Sequence, residues 1–254
     1  MMLSFDLASP PDAPAVVFLH GAAFTRHTWL PQMEALADEF RLIALDLSGH
    51  GQLAGQPFRL ADAARQVADV VDAHASGRAL LVGLSLGGYV AMSLAHWSPA
   101  RAAGLVLFRC SANYRGTRGS LLRLNALLLA VYPERWLTRL NARTLRRMLP
   151  PDLAAAQIAT GFSWRAAGQG FKAIAGADPR TWLRAYPGPV LVLNGEDDRP
   201  NRAREAVLVA VAPRATLGII PRAGHGCNLE QAEAFSAAVR DFARAHGGMT
   251  RASS

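Results

Sequence analysis

Ser85 is the residue whose surroundings point most clearly to chemistry, because it lies on a glycine-rich turn between a strand-like and a helix-like segment. Residues 79–82 before the turn are apolar, as in a buried parallel strand, and the residues after it favour a helix. A serine on such a sharp turn projects its hydroxyl above the edge of the sheet. Gly83 and Gly87 lack the Cβ atoms that would collide where the strand and the helix cross. The sequence therefore predicts that Ser85 is a nucleophile rather than a serine without a catalytic role.

Four other apolar segments end in residues that can take part in catalysis. These are residues 16–19, 41–45, 190–194 and 216–221, which precede His20, Asp46, Asp198 and His225, respectively. Parallel strands bring their carboxyl ends to one edge of a sheet, where such side chains would meet. Alternating strands and amphipathic helices predict an α/β fold with a doubly wound, mostly parallel sheet. The helices are expected at about residues 28–38, 60–75, 86–97, 202–212 and 229–246, with Asn228 as the N-cap of the last.

The order of these segments resembles the α/β-hydrolase family, from the His-Gly loop at His20 through the serine turn to the late acid and histidine. Between about residues 113 and 186 the strand pattern disappears, and helical patterns rich in Leu, Ala and Arg replace it. The resemblance implies an α/β-hydrolase core formed by residues 1–112 and 187–254. It also implies an inserted helical cap at residues 113–186, which in the family covers the nucleophile and forms most of the substrate pocket.

The base that activates Ser85 must be a histidine, since only imidazole titrates near neutral pH without a perturbed environment. Seven histidines are available. Four lie in or beside predicted helices: His27, His74, His96 and His246. In the family, the positions of His20 and His50 shape loops. His225 follows a late strand, stands between two glycines and comes last in the Ser–acid–His order, so it is the predicted base.

The acid that orients this histidine is expected after the third of the four segments, where Glu196, Asp197 and Asp198 follow one another. The family's Gly-x-x-Asp pattern fits Gly195 and Asp198. His225 follows Asp198 by 27 residues, which suits one helix and one strand between them. We therefore expect Asp198 to be the catalytic acid, and its two acidic neighbours to be solvated loop charges.

Two backbone amides are expected to bind the oxyanion that forms when a carbonyl is attacked. The Leu86 amide lies at the predicted helix N-terminus, directly after Ser85. The resemblance implies the Ala22 amide as the second donor, in the loop that begins with His20. Losing one such donor typically costs about 3 kcal/mol of transition-state stabilisation. Cys227, where the family often has a proline, is expected to be a small buried residue rather than a reactive thiol.

Length and composition favour one large core. Of the 254 residues, 51% are apolar and 18% are charged, which excludes extensive disorder. No apolar run approaches the roughly 20 residues needed to cross a bilayer, and the N-terminus lacks a signal-peptide pattern. Two cysteines are too few for a disulfide scaffold, and no metal-ligand or nucleotide motif occurs. The sequence therefore predicts a cytoplasmic protein with reduced thiols, no metal, no cofactor and no membrane partner.

The net charge of +8 comes almost wholly from arginine, but the arginines are dispersed and no nucleic-acid motif is present. We therefore expect no nucleic-acid partner. Eight arginines fall in residues 115–147, among apolar residues that recur at helical spacing: Leu121, Leu124, Leu127, Leu128 and Val131. One face of this helix is expected to lie on the pocket or the core. The arginines are expected to remain solvated; the alternative is that they steer a carboxylate-bearing substrate or contact an acidic partner.

Together these residues predict a serine hydrolase that cleaves a small or medium carboxylic ester through an acyl-enzyme. Alternatives with the same triad are a lactone hydrolase, a carbon–carbon bond hydrolase, and a cofactor-free perhydrolase or haloperoxidase. An alternative of another class is a non-enzymatic ligand receptor on a hydrolase scaffold. A serine rather than an aspartate at position 85 argues against the dehalogenase and epoxide-hydrolase branches. The partner is a small-molecule substrate that no motif names, and the sequence does not define an oligomeric state.

Overall fold

The computed structural model describes residues 5–8, 10, 12–111 and 116–246, and these residues form a seven-stranded sheet with helices on both faces. The strands are β1 (Phe5–Ala8), β2 (Ala15–Leu19), β3 (Arg41–Leu45), β4 (Ala79–Leu84), β5 (Ala102–Phe108), β6 (Val190–Gly195) and β7 (Ala215–Ile220). They lie in the order β1-β3-β2-β4-β5-β6-β7. β1 is antiparallel to β3, and the other described pairs are parallel. The predicted doubly wound, mostly parallel sheet is confirmed.

The central strands form because their residues suit burial on both faces. Every residue of β2, β4 and β5 is buried, and these strands consist of Val, Leu, Phe, Ala and Gly. A strand covered by helices on both sides has no polar face, so a continuous apolar run replaces the usual alternation. The edge strand β7 is only partly covered, and most of its residues keep some exposure.

Six helices cover the two faces of the sheet. On one face lie α1 (Leu30–Leu36), α10 (Cys227–Glu230) and α11 (Ala232–His246). On the other face lie α2 (Leu60–His74), α3 (Leu86–Trp97) and α9 (Arg199–Val211). Their apolar sides form two clusters, one on each side of the sheet. Because β2, β4, β6 and β7 are parallel, the loops that follow them lie at the same edge of the sheet, where the strands end.

The predicted helices at about 60–75 and 86–97 agree closely with α2 and α3, but the predicted N-cap of the last helix is wrong. Asn228 lies inside the short helix α10, and the long helix α11 begins only at Ala232. The reason is that the Gly226 carbonyl accepts hydrogen bonds from the amides of Leu229 and Glu230, at 2.7 and 2.8 Å, and so starts a helical turn earlier. That turn ends at Gln231, whose φ of −132° and ψ of 58° are not helical, and α11 begins with the next residue.

Five helices lie between β5 and β6, and we call this segment the helical insertion. They are α4 (Thr117–Val131), α5 (Glu134–Met148), α6 (Pro151–Ala159), α7 (Trp164–Ile174) and α8 (Pro179–Ala185). α4 packs against α7, α5 against α6, and α8 against α3 and α9. Residues 113–115, at the start of the predicted cap, lie outside the described residues, as do residues 1–4, 9, 11, 112 and 247–254 of the predicted core. The division into core and cap therefore stays a prediction.

The predicted contact face of α4 is wrong. The apolar residues expected to face the pocket or the core are instead exposed by 40–78%: Leu121, Leu124, Leu127, Leu128 and Val131. The buried face of α4 consists of Gly119, Leu122 and Ala126. The small residues at this contact let the helices approach closely, since a Cβ on Gly168 of α7 would lie 3.2 Å from the Ala126 carbonyl oxygen. The narrow face formed by these three residues therefore makes the packing contact.

Candidate active site

Ser85 lies on the turn between β4 and α3 in a backbone conformation that a serine rarely adopts. Its φ is 48° and its ψ is −110°. The Ser85 amide donates to the Phe108 carbonyl at 2.8 Å, and its carbonyl accepts from the Gly88 amide at 2.9 Å. A conformation of this kind costs on the order of 1–3 kcal/mol and persists only where the surrounding structure enforces it. Strained positions of this kind cluster at functional sites.

Two glycines enforce this conformation through close backbone contacts. A Cβ on Gly87 would lie 2.1 Å from the Leu19 carbonyl oxygen at the end of β2. A Cβ on Gly83 would lie 2.4 Å from the Cα of Gly88. Any side chain at either position would therefore push α3 away from the sheet, as the sequence predicted.

We expect Gly87→Ala to lower the free energy of unfolding by about 2–3 kcal/mol, because the added methyl group cannot fit without moving the β2 backbone. The matched control is Gly55→Ala, since a Cβ on Gly55 has no neighbouring heavy atom within 4 Å. Urea unfolding of both variants measures the difference. Equal shifts of the two midpoints would show that the close approach at Gly87 does not fix the turn.

Asp198 and His225 form a hydrogen-bonded pair at the ends of β6 and β7. His225 Nδ1 lies 3.1 Å from Asp198 Oδ2. Because an ionised carboxylate can only accept, Nδ1 carries the proton, and Nε2 is left as the acceptor that a base needs. The Asp198 side chain is 2% exposed, whereas that of His225 is 55% exposed. The carboxylate is therefore held in a fixed position, while the imidazole faces an accessible space.

The structure brings Ser85 to the same edge of the sheet as this pair. β4, β5, β6 and β7 are consecutive and parallel, so the loops that carry the three side chains lie along one edge. Within the described residues, no hydrogen bond joins the Ser85 hydroxyl to the imidazole. Catalytic hydrogen bonds are often long in the absence of substrate and tighten in the reactive complex.

The two acidic neighbours of Asp198 differ from it in their surroundings. Asp197 is exposed. Glu196 is exposed too, and it accepts a hydrogen bond from the Arg222 amide at 3.0 Å. Only Asp198 combines burial with a bond to an imidazole. The choice of Asp198 among the three carboxylates therefore agrees with the geometry.

The two predicted oxyanion donors are available for a ligand. Leu86 is the first residue of α3, so its amide has no partner within the helix. Ala22 lies in the loop after β2, next to Ala23, whose φ of 68° marks a second strained position. Neither amide donates a hydrogen bond in the turns, loops and caps of the described residues. Both amides thus lack a backbone partner, and their use as oxyanion donors stays a prediction.

The histidines at the other strand ends support loops. His20 Nε2 accepts from the Leu47 amide at 3.0 Å, and its Nδ1 lies 2.9 Å from the Gly21 carbonyl oxygen. Burial lowers the pKa of His20. Burial also lowers the pKa of His50 to about 3, so this ring stays neutral. Asp46 accepts from the Arg26 and Gln52 amides at 2.9 and 3.1 Å, so this carboxylate holds the loop that follows β3.

Glu230 is a residue of the site that the sequence did not reveal. Its Oε2 accepts from the Gly224 amide and its Oε1 from the Gly226 amide, both at 2.7 Å. One carboxylate thus holds the residues on both sides of His225. Charged acceptors make shorter and stronger hydrogen bonds than neutral ones. In the sequence, Glu230 is only a glutamate five positions after a histidine, and that spacing alone does not predict a contact with the histidine loop.

We expect Glu230→Gln to lower kcat by about 10- to 100-fold while KM and the unfolding temperature change little. The amide can accept only one of the two bonds, so the His225 loop loses its fixed position, and misplacement by about 1 Å can cost this much. The matched control is Glu233→Gln, since Glu233 is exposed on α11. Steady-state kinetics and thermal unfolding measure both variants. A fall in stability that accounts for the lost activity would assign Glu230 a structural role only.

Arg109 is a second residue that the sequence did not reveal. It follows β5 with a φ of 56°, and its amide donates to Asn194 Oδ1 at 3.2 Å. Burial lowers the pKa of its guanidinium to about 10, although the nearby Asp198 charge acts in the opposite direction. Arg109 is therefore protonated at neutral pH, and its charge favours the ionised form of Asp198.

Both cysteines are buried free thiols. Burial raises the pKa of Cys110 to about 12, and this thiol contacts the Ser85 carbonyl oxygen at 3.6 Å. Burial also raises the pKa of Cys227. Because only a thiolate is a strong nucleophile, neither cysteine is suited to act as a nucleophile at neutral pH. The expectation that Cys227 is a small buried residue is confirmed.

The helical insertion contacts the elements that carry the site. The Ser163 amide donates to the Ala23 carbonyl at 2.9 Å, and Phe162 packs edge-on against Phe24. A Cβ on Gly170 of α7 would lie 2.7 Å from a methyl group of Leu86. The residues before α7 thus lie against the loop after β2, and the middle of α7 lies against the start of α3.

Across the described part of the chain, no group of three or more His, Cys, Asp and Glu side chains is arranged to hold a metal ion. None of the helices within those residues combines the length and the apolar character that a membrane span requires.

Several proteins of known activity are similar over almost the whole chain. A pimeloyl-(acyl-carrier protein) methyl ester esterase of Nitrosomonas europaea is 30% identical over 249 residues, which cover 92% of this chain and 97% of that protein. A 3-oxoadipate enol-lactonase of Acinetobacter baylyi is 25% identical over 249 residues, or 92% and 90% of the two chains. The structure of a thermophilic esterase from Thermogutta terrifontis superposes with a TM-score of 0.80 at 27% identity, covering 96% and 94%.

The match to a family is consistent with these similarities and with the sheet. Residues 16–238 fit the sequence profile of a family described as "Alpha/beta hydrolase family". That range begins in β2 and ends in α11, so it includes every residue of the site described above. The chain therefore belongs to the alpha/beta hydrolase family and is a hydrolase.

Proposed function

We propose that this protein is a serine hydrolase that cleaves a small or medium carboxylic ester through an acyl-enzyme. The main support for this proposal is the hydrogen bond between Asp198 and His225. It lies at the same edge of the sheet as Ser85, which occupies a strained turn. A buried carboxylate that bonds an exposed imidazole is the arrangement that activates a serine hydroxyl. The esterase and lactonase activities named for similar proteins support the same reaction class.

In the first half of the proposed reaction, Ser85 Oγ attacks the ester carbonyl carbon while His225 Nε2 takes the hydroxyl proton. The carbonyl oxygen becomes an oxyanion, which the Ala22 and Leu86 amides bind. Asp198 stabilises the imidazolium that forms and does not itself become protonated. The C–O bond of the leaving group then breaks, and His225 returns the proton to the departing alkoxide. An acyl group remains on Ser85.

In the second half, a water molecule replaces the alcohol. His225 Nε2 removes a proton from the water, and the resulting hydroxide attacks the acyl carbonyl carbon. The same two amides stabilise the second oxyanion, since the carbonyl oxygen occupies the same position in both halves. Breaking the bond to Oγ releases the carboxylic acid and returns the proton to Ser85.

We further propose that the helical insertion acts as a cap that forms part of the substrate pocket. Its contacts with Ala23, Phe24 and Leu86 support this role, because they bring α7 and the residues before it against both oxyanion loops. A cytoplasmic location belongs to the same proposal. Its support is that both cysteines are unpaired thiols, as expected in a reducing compartment.

Lactone hydrolysis is the second candidate, favoured by the similarity to the enol-lactonase of Acinetobacter baylyi. A lactone is a cyclic ester, so the same attack applies, but the leaving alcohol stays attached to the acyl group. The two candidates therefore differ in the shape of the pocket and not in the catalytic residues.

A panel of p-nitrophenyl esters of increasing acyl length, lactones and dienone acids tests the proposal and separates the candidates. We expect hydrolysis of at least one ester series, with kcat/KM in the range of about 10⁴ M⁻¹s⁻¹ or higher for the preferred member. Preference for a lactone over every acyclic ester would favour the second candidate. Turnover of dienone acids alone would assign carbon–carbon bond cleavage. Binding without turnover of any member would support a receptor.

A further inference from the structure

The outward face of α4 and α5 has several exposed apolar side chains that the proposed function does not use. On α4, Leu121, Leu124 and Val131 are 60%, 50% and 78% exposed. On α5, Trp136 and Leu140 are 48% and 51% exposed. Single exposed apolar side chains are common on protein surfaces, but a run of them along neighbouring helices marks an interaction site. We call these five residues the apolar face.

The apolar face points away from the packing contacts of α4. Its buried side holds Leu122 and Ala126. At 3.6 residues per turn, Leu124 and Val131 fall on the opposite side of the helix. The two arginines of α4 lie between these two sides, one on each flank of the apolar stripe: Arg118 and Arg123. An apolar stripe bordered by cations is the pattern of a helix that lies in a lipid–water interface.

The charge of this region is strongly positive and is not neutralised by the protein. α4 carries two arginines, and α5 carries five arginines with one glutamate. All seven arginines are exposed, and none of them forms an ion pair within the described residues. Arg115, also counted in the sequence, lies outside the described residues. This region therefore offers many free guanidinium groups to an anionic partner.

Aromatic side chains lie where the two helices meet. The rings of Tyr132 and Trp136 stack, with centroids 5.1 Å apart, and both side chains are nearly half exposed. Tyrosine and tryptophan are enriched at membrane surfaces because each has an apolar body and a polar tip. Their position beside the leucines and arginines completes the composition of an interfacial surface.

We propose that the outward face of α4 and α5 binds the surface of an anionic lipid bilayer, with the arginines on the headgroups and the apolar face in the interfacial layer. A second copy of the chain fits poorly, because a symmetric contact would place these arginines against each other. An acidic protein surface would pair with the arginines but would leave the leucines in water unless it also held an apolar groove. This surface contact differs from the spanning segment whose absence led the sequence to predict no membrane partner.

The test is cosedimentation of the full chain with vesicles of phosphatidylcholine alone or mixed with phosphatidylglycerol. We expect binding to the mixed vesicles at about 0.05 M salt, about tenfold or more weaker binding to neutral ones, and loss of binding at about 0.5 M salt. Leu124→Ser/Val131→Ser and Arg139→Gln/Arg143→Gln should each weaken the partition coefficient by about tenfold. Their hydrolysis of a soluble ester should equal that of the unmodified protein.

Matched controls use exposed residues elsewhere on the surface. Val207→Ser/Leu217→Ser removes two apolar side chains of 43% and 44% exposure, and Arg184→Gln/Arg214→Gln removes two exposed arginines. Both should leave vesicle binding unchanged. The proposal is overturned if the unmodified protein stays in the supernatant with mixed vesicles at low salt, or if the controls weaken binding as much as the α4 and α5 variants. A dimer in analytical ultracentrifugation that Leu124→Ser/Val131→Ser dissociates would also overturn it, since a second copy would then occupy this face.

Discussion

Replacing Ser85 by alanine is expected to lower kcat for the preferred ester by about five to six orders of magnitude, as removal of the nucleophile does in other serine hydrolases. The loss is this large because His225 and Asp198 have no group to activate once the hydroxyl is gone. Steady-state and single-turnover kinetics on the same ester measure it. Binding of the ester should be little affected, since the Ser85 side chain is only one of many contacts.

The matched control for this change is Ser93→Ala. Ser93 lies on α3, two turns from Ser85, and is half-buried. Its removal should leave kcat within about twofold, because a surface hydroxyl away from the reacting atoms contributes little. A Ser85→Ala variant that keeps a substantial fraction of the activity, while correctly folded, would require another nucleophile.

Asp198→Asn is expected to lower kcat by about four orders of magnitude, because an asparagine can neither fix the required imidazole tautomer nor stabilise the imidazolium. Asp197→Asn should change kcat by less than about tenfold, since the Asp197 side chain is exposed. The two residues are adjacent, so the pair of variants controls for the removal of one negative charge from this loop.

Kinetics of both variants over a range of pH distinguish the roles of the two carboxylates. Equal losses from the two changes would mean that the loop charge matters and not the bond to His225. A larger loss from Asp197→Asn would identify Asp197 as the catalytic acid. The 3.1 Å contact between Asp198 and His225 would then not be the functional one.

The placement of Ser85, Asp198 and His225 at one edge of the sheet could be predicted from the sequence, because each one follows an apolar segment that predicts a strand. Such strands are recognisable as short runs of Val, Leu and Ile, and a parallel sheet brings their carboxyl ends to one edge whatever the intervening loops do. The requirement for glycine at positions 83 and 87 could be predicted as well, since a strand–helix crossing excludes a Cβ at those positions. Site residues that directly follow a strand of the sheet could therefore be predicted from the sequence.

Glu230 could not be predicted, because its role depends on a loop conformation. Its two hydrogen bonds exist only because the chain turns back after His225 and brings the amides of Gly224 and Gly226 to one carboxylate. Nothing in the order of residues specifies that turn. The same turn explains why Asn228 does not cap α11.

The contact face of α4 shows a second limit of sequence patterns. Helical spacing shows which residues share a face, but it does not show which face meets another element. The exposed leucines of α4 share a face, yet the opposite face with Gly119, Leu122 and Ala126 makes the contact, where Ala126 lies close to Gly168 of α7. Apolar periodicity alone predicts burial, and here it instead marks the surface proposed to bind lipid.

Covalent labelling by a fluorophosphonate tests directly whether Ser85 is the nucleophile. The native protein is treated with the probe, its intact mass is measured, and the modified residue is located by peptide mass spectrometry. We predict one adduct per chain on Ser85, complete loss of ester hydrolysis in proportion to labelling, and no adduct in Ser85→Ala or in the heat-denatured protein. Ser85 would not be the nucleophile if the protein resisted the probe and still hydrolysed esters. An adduct on any other residue would exclude Ser85 in the same way.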